Sequence, residues 1–276
     1  MILEFVQRLL TSMIQDTKAV LLVGGLGTRL RSVLPATPKA LASLGSKSFL
    51  DLLVRQLRHQ GIRHMVMCTG HLAEHIENEF GDGGAWDVVI EYSRETRALG
   101  TAGAIKLAEP YLREVNDFLV MNGDSFLEVD FDDFVRFHRG HAGLVSIAGW
   151  RARNAARYGT VRTGASGRVT AFEEKTGHDS PGLINGGIYV FSRAVLEHIP
   201  ETPASLERDV FPHLLDHGVF VLEQHGMFID IGTPEDLAYA QPLCDRLNEA
   251  ALRGRHSGAG QHDNGPLRGE GSRGSE

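Results

Sequence analysis

Four side chains in this sequence have the chemistry to hold a phosphate, or the metal that accompanies one: Arg29, Lys39, Asp124 and Asp230. Arg29 lies within a glycine-rich stretch, Leu22-Val23-Gly24-Gly25-Leu26-Gly27-Thr28-Arg29-Leu30-Arg31, and Lys39 follows in Thr37-Pro38-Lys39 shortly after it. Gly24, Gly25 and Gly27 allow the backbone to approach a ligand closely and to present several N–H groups to it. Thr28 adds a hydroxyl, and Arg29 a planar fork able to grip two phosphate oxygens. Lys39 adds a point charge behind a stiffening proline. The match to a dinucleotide loop is partial, because Thr28, Arg29 and Leu30 stand where a third glycine would open the helix. A Walker loop would need Gly-Lys followed by Ser or Thr, which is absent here. A purely structural glycine turn would not need an arginine and a lysine so near. The two acids follow apolar runs, Phe118–Met121 and Met227–Ile229, as strand-end carboxylates would. Mg²⁺ prefers a few carboxylates together with phosphate oxygens and water, so two strand-end aspartates converging on a phosphate loop suit that ion. Taken singly, Asp124 could equally be a turn residue in Asn-Gly-Asp-Ser, and Asp230 a cap near Pro234.

Positioning these groups requires an open sheet. The apolar run 19–23 predicts a buried strand feeding the glycine loop. Leu50, Leu53 and Leu57 recur at helical spacing within 47–60, and Gly61 ends that helix. The pattern then predicts strands over 64–68, 86–92, 118–121 and 143–148, alternating with helices over 71–80, 100–108 and 131–139. That alternation specifies an α/β fold: a Rossmann-like, mostly parallel mixed sheet with helices on both faces. Strands predicted over 159–162, 168–172 and 187–191 carry few helices between them and form a small antiparallel extension over the sheet's C-terminal edge. A helix over 206–215, strands over 219–223 and 227–231, and a closing helix over 234–251 opened by Pro234 complete the fold. The expected divisions are an N-terminal extension at 1–17, the globular domain at 18–252 and a disordered tail at 253–276. The tail is rich in Gly, Ser, His, Arg and Glu and has almost nothing apolar to bury.

Composition removes several function classes. A net charge of −7 leaves no basic excess for a nucleic-acid backbone, although a local basic pocket could still take a small anion. The two cysteines, Cys68 and Cys244, make no disulfide framework, which fits a reducing cytoplasm, and Cys68 lies in an apolar strand as a core residue would. The first 16 residues have the spacing of a short amphipathic helix, too short to span a membrane. With Glu4 near the start and no small-residue cleavage site, they do not read as a signal peptide. They are expected to be either an extension ahead of Met13 or a packing helix. His71-Leu72-Ala73-Glu74-His75 satisfies a zinc-protease pattern, but in a chain with 13 histidines a chance match is unsurprising.

Gly-Gly-x-Gly-Thr-Arg-Leu with Pro-Lys following resembles the signature of the sugar-1-phosphate nucleotidyltransferases. The resemblance extends in consistent order from about residue 18 to 247. Asn122-Gly123-Asp124 is similar to the family's second motif, and Phe228-Ile229-Asp230-Ile231-Gly232-Thr233-Pro234 to its last; this implies that Asp124 and Asp230 hold Mg²⁺. Glu173-Glu174-Lys175 resembles the Glu-Lys motif, where glutamate contacts the sugar and lysine its phosphate, although Thr176 stands where the family usually has proline. Asn185-Gly186-Gly187 resembles the Asn-Gly-Gly that meets a sugar hydroxyl, and Tyr158-Gly159 sits where the family closes over the sugar. Glu95, ahead of Leu99-Gly100-Thr101-Ala102-Gly103, lies in the segment that runs along the nucleobase. A carboxylate there can accept from both N1–H and the exocyclic amine of guanine, but takes only one bond from uracil or thymine; it could instead face solvent or cap the next helix.

The resemblance therefore implies nucleotidyl transfer from an NTP, expected to be GTP, to a sugar 1-phosphate. Arg29 would grip the β- and γ-phosphates, Lys39 would meet the α-phosphate, and Leu22 to Gly25 would lie under the base and ribose. Gly27, Thr28, Gly100 and Thr101 complete the expected nucleotide site, and Tyr158, Gly159, Glu173, Glu174, Lys175 and Asn185 the sugar-phosphate site. Within the family, the loop, Gly182-Leu183-Ile184-Asn185-Gly186-Gly187 and Ser205-Leu206-Glu207-Arg208-Asp209 are most similar to the D-glycero-α-D-manno-heptose 1-phosphate guanylyltransferases, which make GDP-heptose for capsule or surface glycans. Mannose- or glucose-1-phosphate enzymes using another base, and a non-catalytic nucleotide-sensing subunit, are the alternatives. A cytoplasmic homodimer is expected, with no nucleic-acid or membrane partner.

Overall fold

The computed structural model describes residue 14, residues 17–173 and residues 179–253. Its elements run β1 (Lys18–Leu22), β2 (Ser43–Leu44), β3 (Lys47–Ser48), α1 (Phe49–His59), β4 (His64–Thr69), α2 (Ala73–Phe80), β5 (Val89–Arg94), α3 (Gly100–Leu107), β6 (Asp117–Asn122), β7 (Ser125–Leu127), α4 (Phe131–Arg139), β8 (Val145–Ala152), β9 (Thr160–Thr163), β10 (Val169–Glu173), β11 (Gly182–Ser192), β12 (Val219–Gln224), β13 (Phe228–Asp230), α5 (Pro234–Ala240) and α6 (Cys244–Ala251).

Nine strands form the main sheet. β5, β4, β1 and β6 pair in parallel in that order; β11 joins β6 antiparallel, β8 joins β11 antiparallel, and β12 closes the edge parallel to β8. The inner parallel strands β4, β1 and β6 are apolar on both faces because both faces are covered, while the edge strand β5 carries Glu91 and Arg94. Along β1, Ala19 and Leu21 pack into one core with Phe49, Leu53 and Leu57 of α1, Phe80 of α2, Phe134 of α4 and Leu247 of α6. Val20 points the other way, into a core with Ala102 and Ile105 of α3, Phe118, Tyr189, Phe191 and Phe211. The alternation expected from the apolar runs thus appears as two helix layers on one sheet.

β11 is longer than the predicted 187–191 and belongs to two regions at once. Its C-terminal half pairs with β6 and β8, while its N-terminal half pairs with β8 and, through Ile184, with β9. The ladder with β8 slips between Asn185 and Tyr189, and Gly187 there has φ 77°. A bulge of this kind bends a strand without ending it. The antiparallel extension of β9 and β10 is therefore continuous with the main sheet.

Among the other boundaries that differ from expectation, four have clear local reasons. α1 starts at Phe49 because the Ser48 hydroxyl caps it, accepting from the Asp51 N–H at 3.3 Å. β5 starts three residues late because Trp86 sits in a short turn, where its ring stacks on Phe80 and its indole N–H donates to Asp51. Pro212 shortens the predicted 206–215 helix to a wide turn at Leu206–Val210 followed by a tight one at Phe211–Leu214. Pro242, which has no N–H to donate, divides the closing helix into α5 and α6. The expected extension at 1–17 and tail at 253–276 lie almost wholly outside the described residues.

Candidate active site

β1 is the point at which the sheet changes direction. The chain goes from β1 out to β4 and β5, then returns to place β6 on the other side of β1. Loops leaving the C-terminal ends of two such strands diverge and open a crevice, where open α/β sheets bind ligands. The glycine loop leaves β1 at this crevice, tied on one side by the Val23 N–H to Cys68 O at 3.1 Å and on the other by the Gly123 N–H to Leu22 O at 3.0 Å. Gly24 packs on the backbone of the next loop, so that a Cβ would fall 3.0 Å from Gly70 N. Gly25, Thr28 and Arg29 are exposed, while Leu30 is buried and anchors the turn that carries them. Arg29 makes no hydrogen bond or ion pair with any described residue and is free to meet a ligand.

Lys39 follows Pro38 and opens a turn whose next residues, Ala40 and Leu41, are buried. Its ammonium reaches across the crevice to Asp124 Oδ2 at 2.5 Å, linking the glycine loop to the end of β6. Asp230 is brought to the same place by a two-stranded ribbon, in which β13 pairs antiparallel with β7 and sets Asp230 opposite Ser125. The Ile231 N–H donates to Asp124 O at 2.9 Å and locks the ribbon against the loop. The Ser125 hydroxyl lies 3.2 Å from Asp124 Oδ1 and 3.3 Å from Asp230 Oδ2, so both carboxylates converge on one oxygen. Burial, and then the charge of Asp124, raise the Asp230 pKa; Lys39 and the Gly232 N–H act in the opposite sense.

Two converging acids, one of them partly desolvated, form a hard oxygen donor set with negative charge to spare, which suits Mg²⁺. Among the described residues there is no cluster of three or more His, Cys, Asp or Glu suited to a metal. An ion held by Asp124 and Asp230 would therefore complete its shell with water and ligand phosphates, as Mg²⁺ commonly does.

Glu95 lies on the far side of the glycine loop. A Cβ at Gly70 would fall 2.8 Å from Glu95 Oε1 and 2.9 Å from Gly24 O, so the carboxylate lies beside Gly70, next to the first glycine of the loop. Glu95 Oε2 accepts from the Leu99 N–H at 3.1 Å, so the residue also braces the start of α3. Burial raises its pKa. Gly100 has φ 73°, and its Cα faces Ala204, where a Cβ would meet the carbonyl oxygen at 2.4 Å. The Thr101 hydroxyl accepts from the Leu206 N–H at 2.8 Å and is engaged with that segment. Gly100 and Thr101 thus dock α3 onto residues 204–207, and what they offer the crevice is the helix end itself.

On the opposite side, Tyr158 packs edge-on against Phe228, 6.0 Å between ring centres, beside the Asp230 strand. Gly159 lies under Glu173 O, 3.1 Å from where a Cβ would stand. The Glu173 carboxylate accepts from the Thr160 hydroxyl at 3.2 Å and pairs with Arg162 at 2.6 Å. It is occupied within the extension rather than left open. Glu174 and Lys175 lie outside the described residues. Asn185 sits at the β11 bulge; its Oδ1 accepts from the Gly187 N–H at 2.9 Å and its Nδ2 donates to the Tyr189 hydroxyl at 2.8 Å.

The sequence reading did not anticipate Ser125, Tyr189, Glu207 or the ion pair of Arg157 with Asp236. That pair is bidentate, at 2.9 and 2.6 Å, and ties the Tyr158 loop to the first turn of α5, just beyond Asp230. Ser205-Leu206-Glu207-Arg208-Asp209 was visible as a motif, but spacing alone gave Glu207 no partner. The zinc-protease pattern dissolves: α2 starts at Ala73, so His71 and His75 share no helix face, and Glu74 pairs with Arg94. Burial, then the charge of Glu95, push the Cys68 thiol up to about 12, which makes it the core residue expected.

A doubly covered sheet with a glycine loop at its switch point, and beside it two acids joined through Ser125 with Lys39 on one of them, defines an α/β fold with a crevice suited to a phosphate ligand. Residues 18–245 match the nucleotidyl transferase family, and the chain belongs to it. It is 38% identical over 226 residues to the D-glycero-alpha-D-manno-heptose 1-phosphate guanylyltransferase of Aneurinibacillus thermoaerophilus, covering 81% of this chain and 96% of that one. It is 36% identical over 251 residues to the mannose-1-phosphate guanylyltransferase of Mycobacterium tuberculosis, covering 89% and 70%. Against the mannose-1-phosphate guanyltransferase beta-B of Xenopus laevis it is 36% identical, and there the match spans only 62% of the relative's length. Among solved structures, HddC from Yersinia pseudotuberculosis complexed with GMP-PN superimposes with a TM-score of 0.73 at 31% identity, covering 83% of this chain and 99% of that one.

Proposed function

We propose that this chain is a sugar-1-phosphate guanylyltransferase, with GTP as nucleotidyl donor and D-glycero-α-D-manno-heptose 1-phosphate as acceptor, giving GDP-heptose and pyrophosphate. The observation that carries the reading is the Lys39–Asp124 contact, with Asp230 converging on the same serine hydroxyl beneath the glycine loop. An acceptor phosphate oxygen attacks the α-phosphorus of GTP in line; a new P–O bond forms, and the bond to the bridging oxygen of pyrophosphate breaks. Attacking and leaving groups are both anionic, so catalysis consists of alignment and charge stabilisation. The backbone from Leu22 to Gly25 seats the ribose and base, and Gly27 and Thr28 the phosphates. Arg29, unpaired among described residues, grips the β- and γ-phosphates and takes up charge on the leaving pyrophosphate. Lys39 turns from Asp124 towards the α-phosphate. Asp124 and Asp230 would hold Mg²⁺, which when bound supplies charge neutralisation on the phosphates. Lys175 is assigned to the sugar phosphate, and Tyr158, Gly159, Glu173 and Asn185 to the sugar.

The guanine assignment rests on Glu95, whose Oε1 lies beside Gly70 and whose Oε2, while accepting from the Leu99 N–H, keeps a second lone pair, so that two acceptors remain for N1–H and the exocyclic amine. Heptose is favoured by the near full-length match to the Aneurinibacillus relative. Mannose 1-phosphate is the second reading, favoured by the longer alignment with the Mycobacterium tuberculosis relative. We further propose a cytoplasmic homodimer that serves capsule or surface-glycan synthesis. Among the described residues, no helix is long and apolar enough to cross a membrane.

The test is pyrophosphate release with Mg²⁺, crossing four NTPs against mannose, glucose and heptose 1-phosphates. Turnover confined to GTP and the heptose phosphate supports the full reading. Turnover with UTP or dTTP would overturn the role of Glu95 and leave the reaction class. Nucleotide binding without turnover in any combination would make the chain a regulatory subunit.

A further inference from the structure

Tyr189 is fully buried in the sheet's second core, yet its hydroxyl joins a chain of polar groups. It donates to Glu207 Oε1 at 3.4 Å and accepts from Asn185 Nδ2 at 2.8 Å. The direction follows from the chemistry. A carboxylate only accepts, so the single phenolic proton goes to Glu207, and the phenolic oxygen must accept from Asn185. The other oxygen of Glu207 accepts from the Ser205 hydroxyl at 2.8 Å, with the Thr101 hydroxyl at 3.5 Å. The Asn185 amide is thereby fixed at both ends: its oxygen takes the Gly187 N–H, and one amide hydrogen goes to Tyr189. Asn185 is partly exposed, and its second amide hydrogen has no acceptor among the described residues.

We propose that Glu207 is a positioning residue for the sugar 1-phosphate: by accepting the hydrogen bond of the Tyr189 hydroxyl it leaves the phenolic oxygen as an acceptor and holds the Asn185 amide with its free N–H towards a hydroxyl of the sugar. The proposal rests on the guanylyltransferase reading above. The same carboxylate touches Thr101 and Ser205 beside the start of α3, so the side of the crevice assigned to the base and the side assigned to the sugar are braced by one group. Glu207 itself touches neither reacting atom; it acts through Tyr189.

The experiment is steady-state kinetics of the full chain and of Glu207→Leu, Tyr189→Phe and the double variant, using the NTP and sugar 1-phosphate that the unmodified protein turns over best. Loss of one fixed hydrogen bond to the acceptor predicts a rise of about tenfold in KM for the sugar phosphate, with KM for the NTP within about twofold. Because one residue acts through the other, the double variant should be no worse than either single change. Glu207→Leu removes the acceptor at nearly the same volume, and Tyr189→Phe removes one oxygen without opening a cavity, so the two changes check each other should one impair folding. Equal changes in both KM values, additive losses, or unaltered kinetics in both single variants would overturn the proposal while leaving the guanylyltransferase reading intact. Absence of turnover in the unmodified protein with every substrate pair would overturn both.

Discussion

At the scale of single residues, the acid pair carries the strongest expectation. Asp124 touches Lys39 and shares Ser125 with Asp230, so truncating it removes a charged anchor from a site organised around charge. Asp124→Ala should lose roughly 3 kcal/mol or more of transition-state stabilisation, about a hundredfold or greater fall in kcat, measured by pyrophosphate release. Retention of near-normal turnover would remove Asp124 from the metal and phosphate site. Glu95→Gln tests base selection: the amide offers a single acceptor, so kcat/KM for GTP should fall by on the order of tenfold or more, as for a lost hydrogen bond to a charged group, relative to UTP and dTTP. An unchanged ratio would reduce Glu95 to the brace on Leu99. The placement of Asp124, Asp230, Lys39 and Arg29 around one crevice was legible in the sequence because a strand end followed by a short motif fixes where a side chain emerges. Their partners were not. That Lys39 reaches Asp124, or that Glu173 is occupied by Thr160 and Arg162, depends on residues brought together only by the folded sheet.

At the scale of elements, β11 connects the parallel sheet to the antiparallel extension, and Gly187 is its bend. A methyl group there would stand 3.0 Å from Asn122 Nδ2, on a backbone with φ 77°. Gly187→Ala should cost about 1–3 kcal/mol, read as a lower urea midpoint at unchanged slope. The same change displaces Asn185, so KM for the sugar phosphate should rise more than KM for the NTP; a variant with full stability and unaltered KM would show that the bulge tolerates a side chain. Asn185-Gly186-Gly187 was legible as a motif, but the bulge was not. A strand that slips register while keeping its other neighbour has no period-two break for sequence to display, so the predicted strand began at 187 when the chain had been extended since Gly182. The helices misjudged at 206–215 and 234–251 have a simpler cause. Their apolar spacing is helical, and the prolines at 212 and 242 interrupt the hydrogen bonding without disturbing that spacing.

At the scale of the whole molecule, β6 has chemistry at one end and stability at the other. Asp124 lies just past its C-terminal end, at the crevice. Asp117 opens its N-terminal end, and there the His138 imidazole, followed by the Arg139 guanidinium, holds its carboxyl down to about 2. Arg139 donates to Asp117 at 2.8 Å, while His138 bridges Ser146 of β8 at 2.9 Å and Ser192 of β11 at 3.0 Å, so α4 is fastened to three strands through one polar knot. The folded pKa lies below the ordinary value of 3.8, so the stabilisation is fully present above about pH 4 and is lost as pH falls towards 2. The shift corresponds to about 2 kcal/mol, or roughly 4–8 °C in Tm for a domain of this size. Asp117→Asn should therefore melt earlier than the unmodified protein at pH 7, and the two should converge as the pH approaches 2. Its kcat at a temperature where both are folded should be unchanged, because the strand keeps Asp124 in place through its pairing with β1 and β11. Asp124→Ala should show the reverse, with kcat lost and Tm little altered. If Asp117→Asn lowered kcat as much as it lowered Tm, the two ends of β6 would be coupled, and the separation of scaffold from site along this strand would not hold.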